Sequence, residues 1–304
     1  MDLVLATTVQ GLAYYVREYK PDLLVVHGDR VESLAGAIVG SLNNILVAHI
    51  EGGERSGTID ELIRHAITKL SHIHFVANDE ARNRLVQMGE VPDSIFVIGS
   101  PDIDVMLSDQ LPSIDAVREK YEIPFREYGI LIYHPVTTEV EDLAAHIRNV
   151  VDALIESRVN YVVIYPNNDI GADIILNELK RLDGKPNVKL IPSMRFEHFL
   201  SLLKNASVIV GNSSAGIREA PVYGVPTINI GTRQLNRFEY ESIINVDYDQ
   251  HAILKALRNL PHSVKPSLHF GKGESAKLFF AQLNSKSLWE TPRQKQFVDF
   301  DMNG

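Results

Sequence analysis

The 304-residue sequence contains no cysteine, so disulfides, thiolate nucleophiles and cysteine-ligated metal sites are excluded. It has no apolar run long enough to span a bilayer. Its first residues, MDLVLATTVQ, carry no basic segment ahead of the apolar ones. No signal peptide is therefore expected, and the cytoplasm is the expected location. Positive charge is in short supply: 30 Lys and Arg stand against 39 Asp and Glu, for a net charge of −9. That balance excludes a general nucleic-acid binder, yet a local group of arginines could still hold a small anion. The chain also lacks internal repeats of fixed period and low-complexity segments.

What is present is a globular composition, 45% hydrophobic, with a length that suggests two domains at about 100–200 residues each. Short β-rich runs alternate with helical stretches. Strands are expected at residues 23–27 (LLVVH), 45–49 (ILVAH), 73–77 (IHFVA) and 95–98 (IFVI), with helices near 32–42, 58–70 and 79–88. After a linker holding Pro101 and Pro112 the pattern restarts, with strands at 129–133, 161–165, 188–191, 208–210 and 227–230. Helices are expected there at 140–156, 170–182, 196–204 and 215–220. Such alternation implies parallel strands with crossover helices, hence two Rossmann-like doubly wound α/β domains. The expected division is a first domain over 1–115, a second over 116–285, and a segment over 286–304 that returns to the first. In such folds ligands bind at the carboxyl ends of strands, so polar motifs that follow strands gain weight.

Several motifs meet that condition or lie beside it. His27-Gly28-Asp29-Arg30 follows the first strand, where glycine permits a tight turn and Asp29 and Arg30 are presented at its mouth. A strand-end turn with a local ion pair is the plainer reading. His49-Ile50-Glu51-Gly52-Gly53-Glu54 follows the next strand, with His49 and Glu51 on one face if the strand continues. Thr58 and Glu61 fit a capping box opening a helix, and Asp60 and Arg64, four apart, can pair on its surface. Spacing alone favours a solvated ion pair for those two.

His134-Pro135-Val136-Thr137-Thr138 opens the second unit's first loop; a histidine there can donate to a phosphate or exchange a proton. Tyr165-Pro166-Asn167-Asn168-Asp169 repeats the design one strand later, and an Asx turn explains it about as well. The most specific motif is Gly211-Asn212-Ser213-Ser214-Ala215-Gly216-Ile217-Arg218-Glu219. Its small residues open a helix whose free N–H groups suit a diphosphate, while Glu219 could accept both ribose hydroxyls. A serine N-cap is the plainer reading. Gly231-Thr232-Arg233-Gln234 supplies another cation after the next strand. His65, His72 and His74 invite a metal reading, but nothing completes a ligand set, so hydrogen bonding is expected instead and no metal site is assigned.

Taken together, HGDR, HIEGGERSGTIDELIRHAITKLSHIH, HPVTTE, YPNND and VGNSSAGIREAPVYGVPTINIGTRQ resemble the hydrolysing UDP-N-acetylglucosamine 2-epimerases of the sialic-acid pathway type, from about residue 8 to the C-terminus. The resemblance implies a glycosyltransferase-B-like fold, a homo-oligomer (dimer or tetramer), and release of N-acetylmannosamine and UDP for sialic-acid or surface-polysaccharide synthesis. It places substrate chemistry on Asp29, Glu51, Asp60 and His134. It places nucleotide contacts on Arg30, Asn167, Ser213, Ser214 and Glu219, with His134 at the diphosphate, and polar lining on His49, Arg64 and Arg233. For Asp60 it overrides the surface-pair reading. No cofactor is implied; the partner is a UDP-sugar, with no nucleic acid and no membrane.

The family's pattern also begins with a strand and a basic loop of the form GTRADxxKL, which this sequence does not contain. The first domain is therefore expected to lack its initial βα units, roughly two at about 30 residues each, leaving an uncovered sheet edge, a tendency to associate and little activity. The readings weighed against the epimerase are a UDP-diacetylbacillosamine 2-epimerase, a glycosyltransferase that needs an acceptor, and an inactive UDP-binding homologue.

Overall fold

A computed structural model describes residues 1–56, 59–261 and 263–299. It divides into two compact units: Met1–Leu107 with His269–Gly304, and Ser108–Leu268.

The first unit runs α1 (Asp2–Tyr19), β1 (Leu23–His27), α2 (Val31–Leu42), β2 (Leu46–Ile50), α3 (Ile59–Leu70), β3 (Ile73–Val76), α4 (Asp79–Gln87), β4 (Ile95–Val97) and α5 (Pro101–Met106). Its four strands are parallel and lie in the order β1-β2-β3-β4. Such a sheet is sandwiched by helices, which is why β2 and β3 are almost wholly buried. β1 is an edge strand, with Val25 46% exposed. Thr58, the expected helix cap, lies outside the described residues. The Glu61 carboxylate accepts from the Ser56 N–H at 2.7 Å, two residues ahead of that cap position.

The second unit runs α6 (Ile114–Lys120), β5 (Gly129–Ile132), α7 (Leu143–Ser157), β6 (Tyr161–Ile164), α8 (Ala172–Leu179), β7 (Val188–Ile191), α9 (Phe196–Lys204), β8 (Val208–Gly211), α10 (Ala215–Arg218), β9 (Thr227–Ile230), β10 (Ile243–Val246) and α11 (Gln250–Arg258). The six parallel strands are ordered β10-β9-β8-β5-β6-β7. Read from β7, that is the 3-2-1-4-5-6 order of a doubly wound sheet, whose switch point lies between β5 and β8. Its core joins Leu131, Tyr161, Val163, Val210 and Ile228 of the sheet to Ile147, Val151 and Leu154 of α7.

Two expectations are corrected here. The helix expected over 215–220 is a single turn, Ala215–Arg218, followed by a 3-10 turn at Ala220–Tyr223 with Pro221 near its start. Proline lacks the N–H that would continue the α-helix. The chain also returns to the first unit at His269, well before residue 286. α12 (Ser275–Leu283) and α13 (Lys286–Trp289) belong there. The Asp104 carboxylate accepts from the Ser275 and Ala276 N–H groups at 2.9 and 2.8 Å, capping α12, and Phe279 packs edge-on against Phe75 of β3. Beyond α13, Lys295 reaches the buried carboxylate of Glu90 at 2.5 Å. No described helix is long and apolar enough to cross a membrane.

Candidate active site

In the first unit the polar residues gather after β1 and β2. Register explains this: β1 pairs with β2 so that His27 lies beside Ile50, and the Gly28 N–H continues the ladder to the Ile50 carbonyl at 3.0 Å. The next residue, Glu51, turns into the left-handed region at φ 69°. A non-glycine residue rarely adopts that conformation, and a surrounding structure must hold it there. Here the Glu51 N–H donates to Phe75 O at 2.9 Å, and both carboxylate oxygens are engaged. Oε1 accepts from Ser100 Oγ at 2.6 Å, and Oε2 lies 3.2 Å from His27 Nε2. Glu51 is 7% exposed, a nearly buried carboxylate. Gly53 completes the turn at φ 77°, where a side chain would place its Cβ 2.3 Å from Ala81 O.

Asp29 is ion-paired with Arg64, 35 residues away in sequence. The guanidinium also donates to Glu54 O at 3.0 Å and Ser56 Oγ at 3.2 Å. One buried cation thus ties the loops after β1 and β2 to α3. Asp60 is half-buried in the first turn of that helix. His49 is fully buried, and both ring nitrogens are occupied: Nε2 meets Gly28 O at 2.9 Å and Nδ1 meets Thr68 Oγ1 at 3.3 Å. Burial lowers its pKa to about 3, so it is neutral at ordinary pH, donating to the carbonyl and accepting from the hydroxyl. His49 and Arg64, expected as polar lining, are both engaged inside the unit and hold Gly28 and Asp29 in place. Arg30 is exposed, at the N-cap of α2.

In the second unit the expected residues converge on the switch point. His134 follows β5 and Asn212 follows β8, and these two exchange hydrogen bonds. His134 N–H donates to Asn212 Oδ1 at 2.7 Å, and Asn212 Nδ2 donates to His134 O at 2.8 Å. The close approach depends on Gly211: at φ 129°, an added Cβ would fall 2.0 Å from Ile132 O. The Asn167 N–H donates to His134 Nδ1 at 3.1 Å, so a neutral ring carries its proton on Nε2 and offers it as a donor. Arg233 Nη1 and Gln234 Nε2 both donate to Asn212 O, at 3.0 and 3.2 Å. Ser213 Oγ accepts from the Ala215 N–H at 3.3 Å, and Ser214 occupies the N-cap of α10 without a side-chain cap bond. Glu219 ends that turn, half-buried.

Across the described residues of both units, no group of three or more His, Asp and Glu is placed to hold a metal ion. A family profile described as UDP-N-acetylglucosamine 2-epimerase matches residues 1–284. The chain belongs to the UDP-N-acetylglucosamine 2-epimerase family.

Within this family, the UDP-N-acetylglucosamine 2-epimerase of Neisseria meningitidis serogroup B is 47% identical over 99% of this chain and 81% of its own length. The hydrolysing UDP-N,N'-diacetylbacillosamine 2-epimerase of Legionella pneumophila is 36% identical over 87% of this chain and 71% of its own. Among solved structures, the UDP-GlcNAc 2-epimerase of Methanocaldococcus jannaschii, in complex with UDP-GlcNAc and UDP, matches with a TM-score of 0.78 and 25% identity, covering 92% of this chain and 80% of that one. The fold is therefore of the two-domain, glycosyltransferase-B-like α/β class, and this family member is an enzyme.

Three further residues brace the candidate residues, each within its own unit, and no strand-end reading gives them a role. His27 and Ser100 hold Glu51, and Asn212 ties the β8 loop to His134. Ser100 is the N-cap residue of α5, ahead of Pro101. Asn212 stands inside the most specific motif, but only the strand order brings it to His134.

Proposed function

We propose that this enzyme hydrolyses UDP-N-acetylglucosamine with inversion at C2, releasing N-acetylmannosamine and UDP. The observation that carries the reading is Glu51: a nearly buried carboxylate on a left-handed backbone, gripped at both oxygens. Sites that hold a residue in a costly conformation are commonly reactive ones. In the first step a carboxylate takes the C2 proton, the C1–O bond breaks, and its electron pair leaves with UDP, forming 2-acetamidoglucal. In the second, water adds across the double bond, hydroxyl to C1 and proton to the opposite face of C2. Glu51 and Asp60 serve as the acid/base pair, and Asp29, fixed by Arg64, orients or relays. In the second unit the His134 Nε2–H, Ser213, Ser214 and Arg233 stabilise the departing diphosphate, Arg30 and Asn167 contact the nucleotide, and Glu219 binds the ribose hydroxyls. None of these steps calls for a metal or nicotinamide.

The test is incubation with UDP-N-acetylglucosamine and with UDP-diacetylbacillosamine, without acceptor, followed by NMR of the released sugar. Free N-acetylmannosamine is expected. Release of only the diacetamido sugar would change the substrate, and turnover that requires an acceptor would make the enzyme a glycosyltransferase.

A separate expectation concerns Glu219. Ribose hydrogen bonds serve ground and transition states alike, so Glu219→Ala should raise KM and weaken UDP binding while leaving kcat nearly unchanged. A large fall in kcat at saturating substrate, with KM unaltered, would contradict the ribose assignment.

A further inference from the structure

The loop carrying Arg233 is held by a cluster that the reaction does not use. The Glu139 carboxylate accepts two short hydrogen bonds, one from Thr232 Oγ1 and one from Tyr248 OH, each at 2.5 Å. These residues come from three separate strand-end segments, after β5, β9 and β10. The Thr232 N–H adds a bond to Tyr248 OH at 3.3 Å. The Tyr248 ring lies flat on His146, with centroids 3.5 Å apart and planes 3° from parallel, and its carbonyl accepts from Asn149 at 2.9 Å. Gly231 is pressed so closely against this ring that a Cβ would sit 2.1 Å from it. Burial, with Glu139 alongside, raises the Tyr248 hydroxyl above its ordinary value, so it stays a protonated donor. From Thr232 the chain passes directly to Arg233 and Gln234, which donate to Asn212 O, and Asn212 exchanges bonds with His134.

We propose that Glu139, Tyr248 and Thr232 form a latch that sets the Gly231–Gln234 loop against the Asn212–His134 pair, making Glu139 and Tyr248 positioning residues for the UDP moiety. The proposal rests on the functional reading above, in which that loop faces the diphosphate. A charged carboxylate shared by two hydroxyls is a stronger tie than a neutral pair. Without it, Thr232 has no side-chain anchor, and the adjoining Arg233 must be ordered by the ligand itself. Ordering a loop at the moment of binding weakens affinity, because the lost conformational entropy is then charged to binding.

The experiment measures UDP affinity by calorimetry in the wild type, Glu139→Gln, Tyr248→Phe and the double variant, beside steady-state kinetics and thermal melts. Tyr248→Phe removes one hydroxyl and keeps the stack on His146, so it preserves the packing. Each single change is expected to raise the UDP Kd about tenfold, which is about 1.4 kcal/mol. The double variant should be no weaker than about tenfold, because one latch is broken in every case. KM should rise in parallel, with kcat at saturation within about twofold. A UDP Kd unchanged in both single variants, or losses that multiply to about 100-fold in the double, would overturn the latch. A fall in melting temperature with UDP affinity intact would make the cluster merely structural. A wild-type chain that binds no UDP would remove the functional reading, and the latch with it.

Discussion

Glu51→Gln and Asp60→Asn are each expected to lower kcat by at least about 100-fold, the usual scale for losing a general acid or base. Both changes keep side-chain shape, so the fold should persist. For Glu51 the amide still accepts from Ser100, but it cannot take a proton from C2. Proton exchange reads this step apart from product release: in deuterated water the wild type should place deuterium at C2 of the released sugar, and the variants should do so far more slowly. If neither variant slows C2 exchange, Glu51 and Asp60 are not the acid/base machinery, whatever their effect on turnover. The two variants also separate roles that spacing leaves open, because exchange into unreacted substrate requires only the residue that removes the first proton.

The second large effect is on stability. Glu90 is 1% exposed, and its carboxylate meets three donors: Lys69 at 2.8 Å, Lys295 at 2.5 Å and His74 Nε2 at 3.1 Å. Lys295 also donates to the Thr68 and Ser71 carbonyls, at 2.8 and 2.6 Å, and the neighbouring Arg293 carbonyl meets His72 Nε2 at 3.1 Å. The last described stretch of chain is thereby fastened to the first unit. Removing one partner of a buried charged cluster strands the others. Glu90→Ala is thus expected to destabilise the first unit by about 3–5 kcal/mol, lowering its melting temperature by roughly 10 °C. Calorimetry on wild type and variant measures this; a change below about 1 kcal/mol would mean that water replaces the carboxylate without cost.

The pH dependence of stability follows from the same groups. Burial alone would raise the Glu90 carboxyl, but the bonds from His74, Lys295 and Lys69 outweigh it and hold the pKa at about 2. Its contribution is present above the ordinary carboxylate value and is lost as pH falls from there toward about 2. His49 and His74 have their pKa values lowered by burial, so they too contribute above 6.5, and His49 loses its share as pH falls toward about 3. Stability should accordingly decline from about pH 6.5 downward, and Glu90→Gln should flatten only the more acid part of that decline. Denaturant unfolding across this range checks it: a wild type equally stable at pH 7 and pH 3.5 would contradict all three assignments.

Much of the architecture was legible because parallel strands buried on both faces appear as short apolar runs, as in IHFV, GILI and YVVI, each followed by a polar turn. β10 (Ile243–Val246) is an edge strand with no fully buried residue, and its IINV is not among the expected strands. α12 was assigned to the wrong unit because SAKLFFAQL states that it packs on something, not on what. Its placement depends on Asp104, 171 residues away, and on Phe75.

Local pattern is enough to place residues at strand ends: Asp29, Glu51, His134, Asn167, Ser213 and Arg233 all occupy turns that alternating runs and glycines announce. Which partners each of them meets there follows from the three-dimensional fold. Asp29 finds Arg64 across 35 residues, Glu51 meets Ser100 across 49, and Tyr248 reaches Glu139 across 109. His49, expected from the resemblance as polar lining, is fully buried with both ring nitrogens bonded. The physical reason is that hydrophobic periodicity is a local property of the chain, whereas the neighbours at a strand's end follow from sheet order and register. Those are set by how the crossover helices pack, and no single segment carries that information.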